Sequence, residues 1–254
     1  MVEKPKPAFE MQNICHSRVG ILGGMGSYAT VHLFRKLVDA FPVEKEWQRP
    51  RIIIDNNCIM PSRVRAILYE ERRDQLVQML SDSIAGLLAY KVDALVLACN
   101  TSHCFLPEIR QKIQIPHGVL VDLLDTVAAW CEDSGITDVL VIATEGTIAT
   151  KVYDGYCHEH GIATHYPNEQ DQPVLRKFIE AVKQRKWDGL ADEFADYLDG
   201  LDHRNVVMGC TELSVIADAL ADRDIAGKRL IDPVQIVVNT IHDRIIAEQN
   251  PQTA

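Results

Sequence analysis

The chain has 254 residues, of which 47% are hydrophobic and 24% charged, proportions that suit a globular protein of one large α/β domain or two small lobes. Its formal net charge of −10 argues against general nucleic-acid binding and against an anionic membrane surface, because both need a positive field at the contact. No apolar run approaches the roughly 18 residues of a spanning helix, and the seven cysteines, lacking regular short spacing, do not form the pattern of a secreted disulfide framework.

Residues 1–17 lack the basic-plus-apolar pattern of an export signal and read as a disordered leader, so a cytoplasmic location is expected. Residues 19–22 form a short apolar run ending in Gly23-Gly24-Met25-Gly26 and read as a strand. The segment after it places Val31, Phe34, Val38 and Phe41 at helical spacing. Residues 51–54 are an Ile-rich candidate for a buried strand. Over 74–89, Leu76, Leu80, Ile84 and Leu87 share one helical stripe. Residues 93–99 make another buried strand, with Cys99 at its C-terminal end. This β-α-β-α-β order predicts a parallel sheet covered by helices on both faces. The second half repeats the plan, with a strand at 139–143, then Thr144-Glu145-Gly146-Thr147 opening a helix to about His160. A strand at 205–209 leads into Cys210. Asp232-Pro233 supplies an N-cap and first-turn proline for a last helix carrying Val234, Val237, Val238, Ile241 and Ile245.

The halves correspond. Residues 92–103 (VDALVLACNTSH) and 205–214 (NVVMGCTELS) each run from an apolar strand through cysteine into a polar turn containing threonine. The interval from Cys99 to Cys210 is close to that from Val19 to Val139, as a duplicated α/β lobe requires. The expected architecture is therefore α/β, with two pseudo-symmetric lobes, each a parallel sheet flanked by helices. The first lobe takes residues 18–118 with 235–254 and the second takes 119–234, leaving the active site in the cleft between them. A pseudo-twofold would set Cys99 and Cys210 on opposite sides of that cleft, beyond the carboxyl ends of strands, where parallel sheets hold ligands.

One buried cysteine is usually just a small hydrophobe. Two at matching strand ends are different, whereas Cys15, Cys58, Cys104, Cys131 and Cys157 lack this symmetry. Opposed thiols can invert a carbon centre, one as thiolate removing a proton and the other as thiol delivering one. A threonine at a helix start caps free N–H groups, and the same helix end favours a thiolate or a substrate anion.

Two rival readings are weaker. The cluster Gly20, Gly23, Gly24 and Gly26 does not have dinucleotide-binding spacing, and Asp55 lies too far beyond it. Cys99, His103 and Cys104 could touch a metal, but no second spaced ligand pair completes the set. Neither a nicotinamide cofactor nor a metal is expected.

Five motifs in order, Gly23-Gly24-Met25-Gly26, Asp55-Asn56-Asn57, Cys99-Asn100-Thr101-Ser102-His103, Ala143-Thr144-Glu145-Gly146-Thr147 and Gly209-Cys210-Thr211-Glu212-Leu213, resemble the aspartate/glutamate racemase superfamily. Glu212, where glutamate racemases usually carry His, makes the aspartate racemase branch the nearer resemblance. It spans nearly all of the chain from Arg18 to about Ile246. The resemblance implies a racemase that uses no pyridoxal phosphate or other cofactor and interconverts L- and D-aspartate or a close acidic amino acid. Cys99 and Cys210 would be the two bases. Substrate contacts would fall on Met25, Asn56, Asn100, Thr101, Thr144, Thr147, Thr211 and Glu212, with Arg63 and Lys183 as cations for the carboxylates. A sister isomerase or decarboxylase acting on a related diacid through the same cysteines is the alternative, and the expected assembly is a homodimer. Ser27, Cys58 and Ser62 depart from the branch's usual Pro, Pro and Asp, which bears on the substrate and not on the chemistry. Glu212 could orient the substrate ammonium, help deprotonate Cys210, or simply favour the start of a helix. His103 could face Cys99 or be a satisfied structural histidine.

Overall fold

The apolar runs become strands of two separate parallel sheets in the computed structural model, which describes residues 14–249 except 222, 224 and 226. β1 (Arg18–Gly23), β2 (Arg51–Asn56) and β3 (Ala94–Leu97) lie in the order β2-β1-β3. β4 (Asp138–Ile142), β5 (Ala163–His165), β6 (Asn205–Met208) and β7 (Arg229–Ile231) lie in the order β5-β4-β6-β7. The first three strands of each half thus repeat one arrangement, and β7 extends the second. Cys99 and Cys210 follow the equivalent strands β3 and β6.

The helices between strands of the first sheet are α1 (Ser27–Ala40), α2 (Arg63–Tyr69) and α3 (Arg73–Ala89). α4 (Leu106–Lys112) and α5 (Leu123–Asp133) lead to the second sheet. There follow α6 (Glu145–Thr150), α7 (Val152–Glu159), α8 (Gln172–Lys183), α9 (Leu190–Asp199), α10 (Thr211–Asp218) and α11 (Pro233–Gln249). Alternate residues of each strand face opposite layers. Leu22, Leu95 and Leu97 pack on the α3 stripe of Leu76, Leu80, Ile84 and Leu87. Val19 and Ile21 face the other way, into a core shared with Val139 and Val141 of β4 and with Leu33, Leu37, Val237 and Ile241. That shared core, with α11 packed against both α1 and α5, fixes one half relative to the other. A further core joins Leu140, Ile142, Val206 and Met208 to Phe178 and Phe194.

Several expectations need correction. Residues 1–13 of the expected leader lie outside the described residues, but Ile14–His16 forms a 3-10 turn with Ile14 fully buried, so the ordered chain begins before residue 18. The stripe expected to bury α1 is split: Val31 is 61% and Phe34 38% exposed, Val38 is half-buried and Phe41 is buried, while Ala29, Leu33 and Leu37 are buried. α1 carries two apolar stripes, and the one through Ala29, Leu33 and Leu37 faces the core. β2 is an edge strand, exposed or half-buried along its length. The helix expected up to His160 is two helices, because Lys151 adopts a left-handed conformation (φ 48°) between them.

Candidate active site

Each cysteine is placed by the same device. The residue before Cys99, Ala98, donates its N–H to the Leu22 carbonyl of β1 at 2.8 Å, and the residue before Cys210, Gly209, donates to the Ile142 carbonyl of β4, also at 2.8 Å. Both cysteines then adopt extended backbone and cap a helical turn, a 3-10 turn at Asn100–Phe105 and α10 respectively. The helix ends add partial positive charge beside each thiol. The Thr211 hydroxyl donates to the Ala98 carbonyl at 3.2 Å, so the residue after one cysteine touches the residue before the other. The two cysteine-bearing turns, from different sheets, lie against one another.

Three expected threonines also converge. The Thr101 hydroxyl lies 2.8 Å from that of Thr147 and 3.1 Å from that of Thr144, and these two are 3.1 Å apart. Thr144 caps α6 by accepting the Thr147 N–H at 3.3 Å. Hydroxyls can donate or accept, so a carboxylate entering this triangle would find donors by rotation alone. Asn100 is 1% exposed, and its Nδ2 has no partner among the described residues. Burying an unsatisfied amide costs about 1–3 kcal/mol, which a ligand oxygen would offset.

On the other side, the Cys210 thiol donates to Glu212 Oε2 at 2.9 Å. Burial drives the Cys210 pKa well above the ordinary thiol value; the Glu212 charge and hydrogen bond add to this, and Lys183 opposes it. Glu212 is itself buried, and its Oε1 has no hydrogen-bond partner among the described residues. That oxygen abuts Gly26, where a Cβ would collide with it. Burial disfavours the Lys183 ammonium, but Glu212 and Glu180 together with Cys210 keep its pKa above the ordinary lysine value. Lys183 Nζ also donates to Glu180 at 2.9 Å.

The remaining expected residues stand nearer the mouth. A cavity of about 570 Å³ is lined by Met25, Ser27, Cys58, Met60, Arg63 and Lys183, among others. Lys183 and Ser62 also border a second cavity of about 200 Å³ that reaches Thr144. Arg63 donates through Nη2 to the Met25 carbonyl at 2.5 Å and through Nη1 to the Pro61 carbonyl at 3.2 Å. It braces the glycine loop, which crosses Asn57 so closely that Gly24, at φ 82°, has no room for a Cβ. Asn56 is exposed and donates to Ser27 Oγ and Cys58 Sγ, each at 3.2 Å. It is not brought to the threonine triangle.

His103 resolves as a structural group. Its Nε2 accepts the Leu123 N–H at 3.3 Å, which leaves Nδ1 protonated to donate to the Cys99 carbonyl at 3.0 Å. Ser102 Oγ donates to the same carbonyl at 2.7 Å. With both ring nitrogens engaged, His103 is not positioned as a metal ligand, and no group of metal-binding residues occurs among the described residues. The sequence reading missed Tyr153, which is fully buried and donates to Asn100 Oδ1 at 2.7 Å. Only its apolar setting in a helix is visible from sequence.

A family model for Asp/Glu/hydantoin racemases matches residues 22–241. The chain belongs to the Asp/Glu/hydantoin racemase family. It is therefore an amino-acid racemase of the kind that works without pyridoxal phosphate. Among the family's curated members, the broad specificity amino-acid racemase RacX of Bacillus subtilis (strain 168) is 24% identical over 215 residues, 79% of this chain and 87% of that protein. The glutamate racemase of Prochlorococcus marinus (strain NATL2A) is 26% identical over 186 residues, 71% of this chain and 67% of that one. The solved aspartate racemase of Picrophilus torridus shares the fold with a TM-score of 0.76 at 23% identity, covering 92% of this chain and 98% of its own. Among the described residues no helix is long and apolar enough to cross a membrane.

Proposed function

We propose that the enzyme interconverts the L and D forms of aspartate, or of a close acidic amino acid, with Cys99 and Cys210 as opposed acid and base. The observation that carries this reading is the Thr211–Ala98 hydrogen bond, which seats the two cysteine turns against each other across the two sheets. The α-carboxylate would enter the triangle of Thr101, Thr144 and Thr147 and accept from Asn100. Lys183 and the unused donors of Arg63 would meet the side-chain carboxylate, Arg63 as a fork and Lys183 as a point charge. These local cations are what an acidic protein needs to hold a dianionic substrate.

One thiolate takes the Cα proton, and the electron pair spreads into the α-carboxylate, where the surrounding donors stabilise it. The opposite thiol gives its proton to the other face of the carbon, so the two sulfurs exchange protonation states in each turnover. Glu212 Oε2, already bonded to the Cys210 thiol, is placed to receive its proton when Cys210 must act as base. On this reading the lobes comprise residues 18–118 with 235–254 and residues 119–234, and the enzyme is cytoplasmic. It is a homodimer whose contact face includes Val31 and Phe34 of α1 and Ile54 of β2, all left outward.

Chiral chromatography of common L-amino acids incubated with the enzyme should show aspartate or a near acidic relative racemised fastest. Cys99→Ala and Cys210→Ala should each lower racemisation by at least ~10³, as when one member of a cooperating catalytic unit is lost. In D₂O, early D-aspartate should carry deuterium at Cα while the remaining L-aspartate stays protiated. Full activity in either variant, or protiated early product, would overturn the two-thiol mechanism.

A further inference from the structure

Asn100 poses a question of orientation. Its side-chain amide has a donor end and an acceptor end of nearly equal shape, and only the donor end can hold a carboxylate. The direction in which the amide faces therefore decides whether the site attracts or repels its substrate.

The neighbour that makes this choice comes from the other half of the molecule. Tyr153 lies in α7, packed in the shared core with no exposed surface. Its hydroxyl donates to Asn100 Oδ1 at 2.7 Å, and no other acceptor for that proton occurs among the described residues. Burial holds the Tyr153 pKa well above that of an ordinary phenol, so the hydroxyl keeps its proton throughout the working pH range. If the amide turned over, phenol O–H and carboxamide N–H would face each other, and the phenol proton would lose its acceptor. With the acceptor end occupied, Nδ2 is presented on the opposite side, where it has no partner among the described residues.

We infer that Tyr153 is a positioning residue of the racemase: its hydroxyl locks the Asn100 amide so that Nδ2 faces the substrate α-carboxylate. The inference rests on the proposed reading of Asn100 as a carboxylate ligand and adds a residue that touches no substrate. A second tyrosine one helical turn on supports the same region. Tyr156 donates to Asp122 Oδ2 at 3.0 Å, and Asp122 Oδ1 caps α5 beside His103, the ring that bonds the Cys99 carbonyl. One face of α7 thus braces the segment that carries Cys99 and Asn100. Negative charge grows on the carboxylate as the Cα proton leaves, so a mis-aimed amide should affect both binding and turnover.

The test is a double-mutant cycle on the racemase with its best acidic amino acid. Tyr153→Phe keeps the ring and should raise KM and lower kcat, for a combined loss in kcat/KM of about tenfold. Asn100→Ala should lose more, and Tyr153→Phe should cost nothing further in the Asn100→Ala background, since residues that act through one contact are not additive. Asn100→Asp leaves Tyr153 intact and still offers it an acceptor, but it presents an oxygen to the substrate. It should fold like the wild type and lose substrate binding. If Tyr153→Phe has wild-type KM and kcat, or if its cost multiplies with that of Asn100→Ala, the positioning role is wrong. The same holds if Asn100→Asp binds substrate normally. If instead Asn100→Ala itself racemises at the wild-type rate, the reading of the carboxylate site fails, which is a separate outcome.

Discussion

At the scale of single residues, the pair Cys210 and Glu212 decides where a proton rests. A thiol whose pKa is raised keeps its proton to higher pH, so at neutral pH Cys210 holds its proton, and in the proposed mechanism it is the acid, bonded to a carboxylate that would relieve it of that proton. Glu212→Gln keeps the size and one acceptor but removes the charge. The pH at which Cys210 becomes alkylable by iodoacetamide, followed peptide by peptide in a mass spectrometer, should therefore move down. Racemisation should fall by ~10², the usual scale for losing a general base. The loss in kcat/KM must be equal for both enantiomers, because their equilibrium constant is one. An alkylation midpoint that stays put or rises would show that the carboxylate does not govern this thiol. The placement of both cysteines after equivalent strands was legible in the sequence, because strand ends and the repeat marked it. The contact of Glu212 with the Cys210 thiol was not, since its three readings differ only in which atom the carboxylate meets. Tyr153 was hidden for a related reason: it reaches Asn100 across 53 residues of sequence, and nothing local distinguishes a tyrosine that orients an amide from one that fills a core.

At the scale of elements, apolar runs identified strands well and their surroundings poorly. β3 and β6 are buried on both faces and β2 is an edge, yet all three read as short apolar stretches. β5 and β7, three residues each, carry too little pattern to be seen. α3 was unambiguous because Leu76, Leu80, Ile84 and Leu87 form one stripe, all buried. α1 was misread because Val31 and Phe34 keep helical spacing yet lie on the face turned from the core, while the parallel stripe of Ala29, Leu33 and Leu37 is the buried one. Large apolar groups left outward call for cover. The proposed homodimer supplies it, and Phe34→Glu would place a charge in the contact. In sedimentation velocity the wild type should run as a dimer and Phe34→Glu chiefly as a monomer, with the fold retained because Phe34 contributes little to the monomer core. A wild-type monomer at micromolar concentration would dispose of the interface.

At the scale of the whole molecule, the site depends on two halves being held in fixed relation. The shared core does most of this, but one ion cluster ties the halves together at the ends of the helices that flank the cleft. Asp218, the last residue of α10, accepts from Lys36 Nζ at 2.6 Å and from Arg35 Nη2 at 2.5 Å, both on α1. Lys36 also donates to Gln235 of α11 at 2.9 Å. The Asp218 side chain is 29% and that of Lys36 13% exposed, so the pair lies between an exposed one, worth under about 1 kcal/mol, and a buried one, whose disruption costs about 3–5 kcal/mol. Asp218→Asn should then cost about 1–2 kcal/mol at neutral pH, a fall of several degrees in Tm for a chain of this length. Burial raises the Asp218 pKa, but Lys36, His32 and Arg35 outweigh it and hold the carboxyl below the ordinary aspartate value. A carboxylate with a depressed folded-state pKa contributes its full stability above the unfolded value of about 4, and that contribution is lost as pH falls through the folded value. The difference in Tm between wild type and Asp218→Asn should accordingly be present at pH 7 and shrink as the pH is taken below 4. A difference that persists undiminished into strong acid would mean that Asp218 acts by packing alone. Because the cluster sits at the far end of α10 from Cys210, the variant should lose stability while keeping wild-type KM at temperatures well below its melt.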